Sequence, residues 1–348
     1  MNSSFAEFLK LPRDERQAVF EATAERLDTL ASYIEKDFWV CVVLDALYNG
    51  LPDGHPQLLF KGGTSLSKAF HLIRRFSEDI DIVVFRKDLG FESEGDPTNP
   101  QADLSNKRRQ ALFHELRSAC SEYICGRLYD DLSTVLAGLD EGCRVDVDKD
   151  AGDQQALLVQ YPGLFSTEDL SYVRPRVKIE GGARSALDPN VTCKIAPYIE
   201  TELSDWKLSV GGVTTIQSAR TFWEKILILH GAHCGLRDEK RLPRDRDRIS
   251  RHYYDVAMIG ESEAGKSALN DRRLWDNVRE HNLIAFKQAW KKFDEAVPGT
   301  TCVVPQPELR AEIEKDYAAM QGMILGETPS FDWITDRLAE IEETINQV

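Results

Sequence analysis

Apolar residues along this chain alternate between a helical and a strand-like spacing, and the switches mark its elements. Over residues 6–47 they recur at three- and four-residue steps, with Phe20, Ala24, Leu27 and Leu30 on one stripe, which predicts helices. The last part, EKDFWVCVVLDAL at 35–47, reads as a helix packed beside a sheet; Asp37 on it belongs to that packing or, as the alternative, lines a site. Short apolar runs bounded by turn formers then predict a strand over 57–60, a helix over 64–73 and a strand over 80–85. Residues 92–103, ESEGDPTNPQAD, read as a surface loop. A helix over 106–130 carries Leu112, Leu116, Ala119 and Tyr123 on one face, and four strands are predicted at 143–147, 156–161, 173–180 and 192–197. From about Thr215 the spacing is helical again, and Thr221 with Glu224 fits a capping box. Two amphipathic runs end the chain, one with Leu309, Ile313, Tyr317, Met320 and Ile324, the other with Ile334, Leu338, Ile341 and Ile345. Intramolecular packing accounts for both. The pattern predicts an α/β (α+β) domain with a mixed sheet over 1–212 and a mostly helical domain over 213–348.

Composition narrows the class. With 348 residues, 42% hydrophobic and 29% charged, the chain resembles an ordinary globular protein of one large or two moderate domains. No apolar run approaches the roughly 20 residues that span a bilayer, and the N-terminus lacks a secretory pattern. Seven scattered cysteines with no C-x-x-C argue against a disulfide scaffold or structural zinc, so the expected compartment is the cytoplasm. The net charge of −15 excludes a surface coated for nucleic acid. It leaves room for a local patch, and RDEKRLPRDRDRISR at 237–251 sets seven basic residues against four acidic ones. That stretch is either a solvated, salt-bridged loop or a backbone-binding patch through Arg244, Arg246 and Arg248.

The densest chemistry lies in FKGGTSLSKAFHLIRRFSEDIDIVV at 60–84. Side chains on a strand alternate with period two, so Asp79 and Asp81 share one face and Glu78 points to the other. Two carboxylates on one face of a buried strand repel unless a cation lies between them, and hard oxygen ligands suit Mg²⁺ (or Mn²⁺) with phosphate completing the shell. Thirteen residues separate Ser65 from Asp79, and Gly62, Gly63, Thr64 and Ser65 form a turn whose N–H groups and hydroxyls can cradle a phosphate. Lys61 before the turn and Lys68 after it join these as candidate nucleotide-binding residues. Lys61, at a strand end, can equally be solvated.

Gly-Gly-Thr-Ser followed by Asp-x-Asp resembles the core of the DNA polymerase β-like nucleotidyltransferases. The wording KGGTSLSK with RFSEDIDI is similar to one branch, the AbiEii/AbiGii toxin family of type IV toxin–antitoxin and phage-defence systems. The resemblance extends to EKDFWVCVVLDAL, to TFWEKILILH at 221–230 and to RISRHYYDVAMI at 248–259. It implies a nucleotidyltransferase domain with N-terminal helices over 1–212, and a helical domain over 213–348 that completes an active-site cleft. Asp79 and Asp81 are then metal ligands, and Lys225 and Asp255 match the family's active-site lysine and aspartate. From residues alone Lys225 would be a surface helix lysine and Asp255 a helix cap. In this role Lys225 steadies a triphosphate, and Asp255 orients Lys225 or the attacking hydroxyl. The superfamily draws a third carboxylate from a neighbouring strand; Glu180 is one candidate, Asp146 and Asp148 are the rivals, and the choice stays open.

The resemblance thus implies metal-dependent transfer of NMP from an NTP to an RNA acceptor, the tRNA 3′ end in the first place, with translation blocked. A cognate antitoxin encoded nearby is the expected partner. The alternatives are a nucleotidyltransferase acting on a protein or small molecule, favoured slightly by the acidic charge, and an NTP-binding regulator without turnover. His230, His233 and Cys234 lack a further ligand and read as structural or, at most, substrate-facing, and His252 either packs or stacks on a base. Phosphorylation at Thr64, Ser65 or Ser67 is chemically conceivable.

Overall fold

Strands with one greasy and one polar face must cover the first and leave the second open, and that asymmetry organises the N-terminal part of this protein. The computed structural model describes residues 1–152, 154–165, 174–203, 205–240 and 248–347. Two compact units emerge: one of 1–70, 76–97 and 102–216, the other of 71–75, 98–101 and 217–348. The chain therefore leaves the first unit twice for short excursions into the second.

The first unit holds a seven-stranded sheet made of β1 (Leu58–Lys61), β2 (Asp79–Val84), β3 (Arg144–Val147), β4 (Ala156–Gln160), β5 (Arg176–Gly182), β6 (Asn190–Ile195) and β7 (Val210–Ile216). Their order is β3-β4-β5-β2-β1-β7-β6. β2 with β5 and β1 with β7 are parallel and the remaining pairs antiparallel, so the sheet is mixed, as the sequence predicts. One face presents Leu58, Phe60, Ile80, Ile82, Val145, Leu157, Val159, Val177 and Ile179 to the main core. Helices α1 (Ser3–Leu9), α2 (Arg13–Leu27) and α3 (Ala31–Asp45) add Phe5, Phe8, Phe20, Phe38 and Trp39 to it. Helix α3 packs on β2, β5 and β7, as a helix buried along nearly its whole length must. The opposite face carries the charged residues of β2 and β5.

Several local expectations are corrected. The helix expected over 64–73 is α4, only Gly62–Lys68, and His71 at φ 54° takes the backbone left-handed where a helix cannot continue. The one predicted over 106–130 is α5 (Asn106–Tyr123), a π-helical turn at Ile124–Leu128 and α6 (Tyr129–Leu139). Strand β7 has no counterpart in the sequence reading. Val173, expected to open a strand, lies outside the described residues, and β5 begins at Arg176.

The second unit is helical: α7 (Ser218–Glu239), α8 (Ser250–Glu261), α9 (Glu263–Leu269), α10 (Arg272–Ala285), α11 (Pro307–Met320) and α12 (Phe331–Asn346). α7 packs against α8, α9 and α10, and α8 against α11 and α12. The tail runs bury Leu309, Ile313, Tyr317 and Met320 on α11 and Ile334, Leu338, Ile341 and Ile345 on α12, which is intramolecular packing. Helix α7 starts at Ser218 behind Gln217, a turn before the expected cap. Thr221 is consequently inside the helix, its buried hydroxyl without a hydrogen-bond partner among the described residues, and Glu224 pairs with Arg220 instead.

Candidate active site

Strand register sets the first cluster. Lys61 is the cross-strand partner of Asp81, and on the other side Asp81 lies beside Glu180 and Asp79 beside Lys178. Directly paired residues share a face, so Lys61, Asp79, Asp81, Lys178 and Glu180 line the polar face together. Asp79 and Asp81 are half-buried while Ile80 between them is fully buried, the alternation the sequence predicts. Gly62 fits under this row: its φ is +81°, and a Cβ there would lie 1.9 Å from the Asp81 Oδ2. Only glycine supplies both the left-handed backbone and the space. The turn and the Asp-x-Asp strand are built against each other.

The hydroxyls and lysines behave differently from expectation. Thr64 and Ser65 are both fully buried. The Thr64 hydroxyl is engaged with Ser77 Oγ at 2.9 Å and with the Asp79 carbonyl, and Ser65 Oγ donates to the Gly62 carbonyl at 2.9 Å. Each hydroxyl has one proton; that of Thr64 ties the turn to β2 and that of Ser65 closes on the turn's own backbone, rather than facing a ligand. Ser67 is buried as well, donating to the Thr64 carbonyl at 3.1 Å, so none of the three offers an exposed acceptor for phosphorylation. Lys68, expected at the phosphates, turns inward. Its ammonium lies 2.6 Å from Asp37 and 3.7 Å from the centre of the Tyr198 ring, with Asp37 also accepting from the Tyr198 N–H at 2.8 Å. A buried lysine with a buried counter-charge is a structural pair. Lys61 keeps to the polar face and donates to Ser185 Oγ at 3.0 Å.

Asp79 is a carboxylate held in a partly buried setting among other acids and two lysines. Burial pushes the Asp79 carboxyl above its ordinary range, and Glu78 and Glu180 push it further, against Lys36 and Lys178. Glu78, just before β2, is paired with Lys36 on α3. Of the candidate third acids, Glu180 is exposed and bonded to Lys178 at 2.7 Å, and Asp148 reaches the same ammonium at 3.3 Å. Asp146 is exposed and accepts from Gln160 at 2.6 Å. Among the described residues no three His, Cys, Asp or Glu side chains are gathered so as to hold a metal ion by themselves. Mg²⁺ needs only one or two protein carboxylates when phosphates and water supply the rest. Two oxygen donors on one face, one of them with its pKa raised chiefly by burial, fit that ion.

The second unit contains the other cluster. Lys225 on α7 lies 2.9 Å from Asp255 Oδ2 on α8, so the structure brings together the two residues that family resemblance pairs. It adds one that the sequence reading missed. Arg75, on the first excursion segment, grips Asp255 with Nε to Oδ1 at 2.7 Å and Nη2 to Oδ2 at 2.8 Å. Burial alone would raise the Asp255 carboxyl; Arg75 and Lys225 outweigh it and hold the group well below the usual carboxylate range. Lys225 is itself lowered by burial, with Arg75 and Arg251 adding to this and Asp255 opposing it. His252 receives the Lys225 ammonium on Nδ1 at 3.3 Å and is kept neutral by burial and by that cation.

The remaining expectations resolve simply. Arg244 and Arg246 lie outside the described residues, and Arg248 is exposed. His230 is a satisfied core histidine: Nε2 meets the Lys292 carbonyl at 3.1 Å and Nδ1 accepts from the Cys302 N–H at 3.2 Å. Among the described residues no helix is long and apolar enough to cross a membrane.

Comparison with known proteins fits this geometry. The solved structure of MenT4, a nucleotidyltransferase toxin from Mycobacterium tuberculosis H37Rv, superposes with a TM-score of 0.52 at 16% identity, covering 97% of this chain and 90% of that one. At that identity the likeness speaks for the fold. No curated protein sequence matches the chain. The family model described as nucleotidyl transferase AbiEii toxin, type IV TA system, matches residues 45–337, and the chain belongs to that family of nucleotidyltransferase toxins.

Proposed function

We propose that this toxin transfers a nucleoside monophosphate from an NTP to an RNA acceptor, the tRNA 3′ end first among them, and thereby blocks translation. The observation that carries the reading is the fit of Asp81 over Gly62 beside Asp79, a carboxylate pair built for a cation that also binds phosphate. Asp79 and Asp81 would hold Mg²⁺ or Mn²⁺, with Glu180 as a third ligand once released from Lys178. The ion's contribution is to neutralise phosphate charge and align the reacting oxygens. Lys61 and the backbone of Gly62 and Gly63 support the polyphosphate. Lys225 offers its ammonium to the charge that builds on the leaving pyrophosphate, and Asp255, which is fully buried, acts through Lys225 rather than on substrate. Arg248 belongs to a basic stretch that suits an RNA backbone. A cognate antitoxin encoded nearby, a cytoplasmic site of action and a part in phage defence are the family's implications.

The test is incubation with each α-³²P NTP, Mg²⁺ and total bacterial RNA, followed by a denaturing gel. A labelled band of tRNA size, lost in Asp81→Ala and on chelation with EDTA, is the expected result. Label on protein or on no macromolecule would replace the RNA acceptor with a protein or small molecule. A folded Asp81→Ala protein with full activity would refute the carboxylate site.

A further inference from the structure

We propose that Arg75 is a positioning residue for the transfer reaction, fixing Asp255 and through it the ammonium of Lys225, so that one N–H of that ammonium is presented to the polyphosphate. The inference rests on the reading above, in which Lys225 serves transfer.

Donor counting gives the geometry. A lysine ammonium has three N–H donors; in Lys225 one is taken by Asp255 at 2.9 Å and one by His252 at 3.3 Å. Among the described residues nothing takes the third, which is left for a phosphate oxygen. Its direction depends on where Asp255 stands, and Asp255 is set by the two-pronged guanidinium rather than by a flexible point charge. The guanidinium in turn comes from a fixed backbone. The Arg74 carbonyl accepts from the Leu325 N–H at 2.9 Å, the Arg74 N–H donates to the Tyr254 hydroxyl at 3.3 Å, and Arg75 forms an isolated β-bridge with Ile324.

Charge counting gives the second part. Lys225 and Asp255 alone would sum to zero and attract a triphosphate weakly. Arg75 cancels Asp255 and leaves these three groups at +1, to which Arg251 adds, with His252 neutral. All members are buried or nearly so, where each charge acts more strongly than in water.

The experiment compares Arg75→Met, Arg75→Lys and Lys225→Met with the unaltered chain. For each, circular dichroism monitors folding and label transfer from α-³²P NTP to RNA is followed across pH. Among the described residues the charged groups facing Lys225 are Asp255, Arg75 and Arg251, with His252 beside it. Removing the Arg75 cation lets Lys225 hold its proton to higher pH. Arg75→Met is therefore expected to lose about 100-fold in kcat, the scale of a misplaced catalytic group, and to shift the alkaline limb upward. Arg75→Lys keeps the charge and loses the fork, so about a tenfold loss with the limb unmoved is expected. A folded Arg75→Met that loses rate with no shift of the limb overturns positioning in favour of plain structural support. If Arg75→Met does not fold, Arg75→Lys decides alone: wild-type kcat overturns the proposal. Full activity in Lys225→Met would instead overturn the role of Lys225 itself.

Discussion

Gly62→Ala is the sharpest perturbation of this site, because one methyl group collides with a residue assigned to the chemistry. The new Cβ would stand 1.9 Å from Asp81 Oδ2 and 2.7 Å from its Cγ, at a φ of +81°. Ordinary contact needs about 3.5 Å, so the carboxylate must retreat by more than 1 Å or the turn must open. The left-handed backbone costs about 1–2 kcal/mol for a residue with a Cβ, and overpacking about 1–3 kcal/mol more. A loss of about 2–5 kcal/mol in stability is expected, measured by urea unfolding. Displacement on that scale should also lower the transfer rate about 100-fold and weaken Mn²⁺ binding by calorimetry. Gly138→Ala is the control, since its Cβ meets nothing within 4 Å and its φ is not positive. A Gly62→Ala protein with wild-type stability and transfer would refute the claim that turn and carboxylate are built together.

Charge burial leads to two more outcomes. Asp79 has a raised pKa in the folded state, so its contribution to stability is present at low pH and is lost as pH rises from the unfolded pKa through the folded one. Asp79→Asn should accordingly raise the metal-free melting temperature at neutral pH while abolishing transfer; a lowered melting temperature at neutral pH would refute the cost of burying this charge beside Glu78 and Glu180. Lys68→Met strands Asp37 in the core and should cost about 3–5 kcal/mol of stability, much of it recovered by adding Asp37→Asn. A Lys68→Met protein with normal stability and a raised KM for NTP would return Lys68 to the phosphates.

The glycine turn and the acid-bearing strand were legible because their requirements are local. A period-two pair of acids and a glycine turn can be read within 25 residues, and the strand and turn form as written. Arg75 was not legible, since a basic residue in RRF reads as solvated until Asp255, 180 positions on, closes on it. Strand β7 escaped for the same reason: VGGVTTI has two glycines and no clean alternation, and its place comes from Phe60 pairing with Thr215. Lys68 and Thr64 were misplaced because residue type suggested phosphate, while the neighbours that claim them, Asp37, Ser77 and Asp79, are fixed only by tertiary packing. The Thr221 cap failed because two residues can match a capping box wherever they fall, and the helix began earlier.

The sheet order also dictates when the toxin can come into being on the ribosome. Strand β1 sits between β2, made soon after it, and β7, at Val210–Ile216. Even the N-terminal Asn2 side chain waits for the carbonyls of Lys207 and Ser209. At ordinary translation speeds of about 5–20 residues per second, β1 has an unpaired edge for roughly 10–30 s. An unpaired edge strand is a template for other chains, so the nascent toxin passes through an interval in which its half-built sheet is exposed to chaperones and proteases. The acids of β2 are synthesised early, yet the sheet that holds them is completed only after Ile216, so a ribosome stalled before that point carries an unfinished sheet.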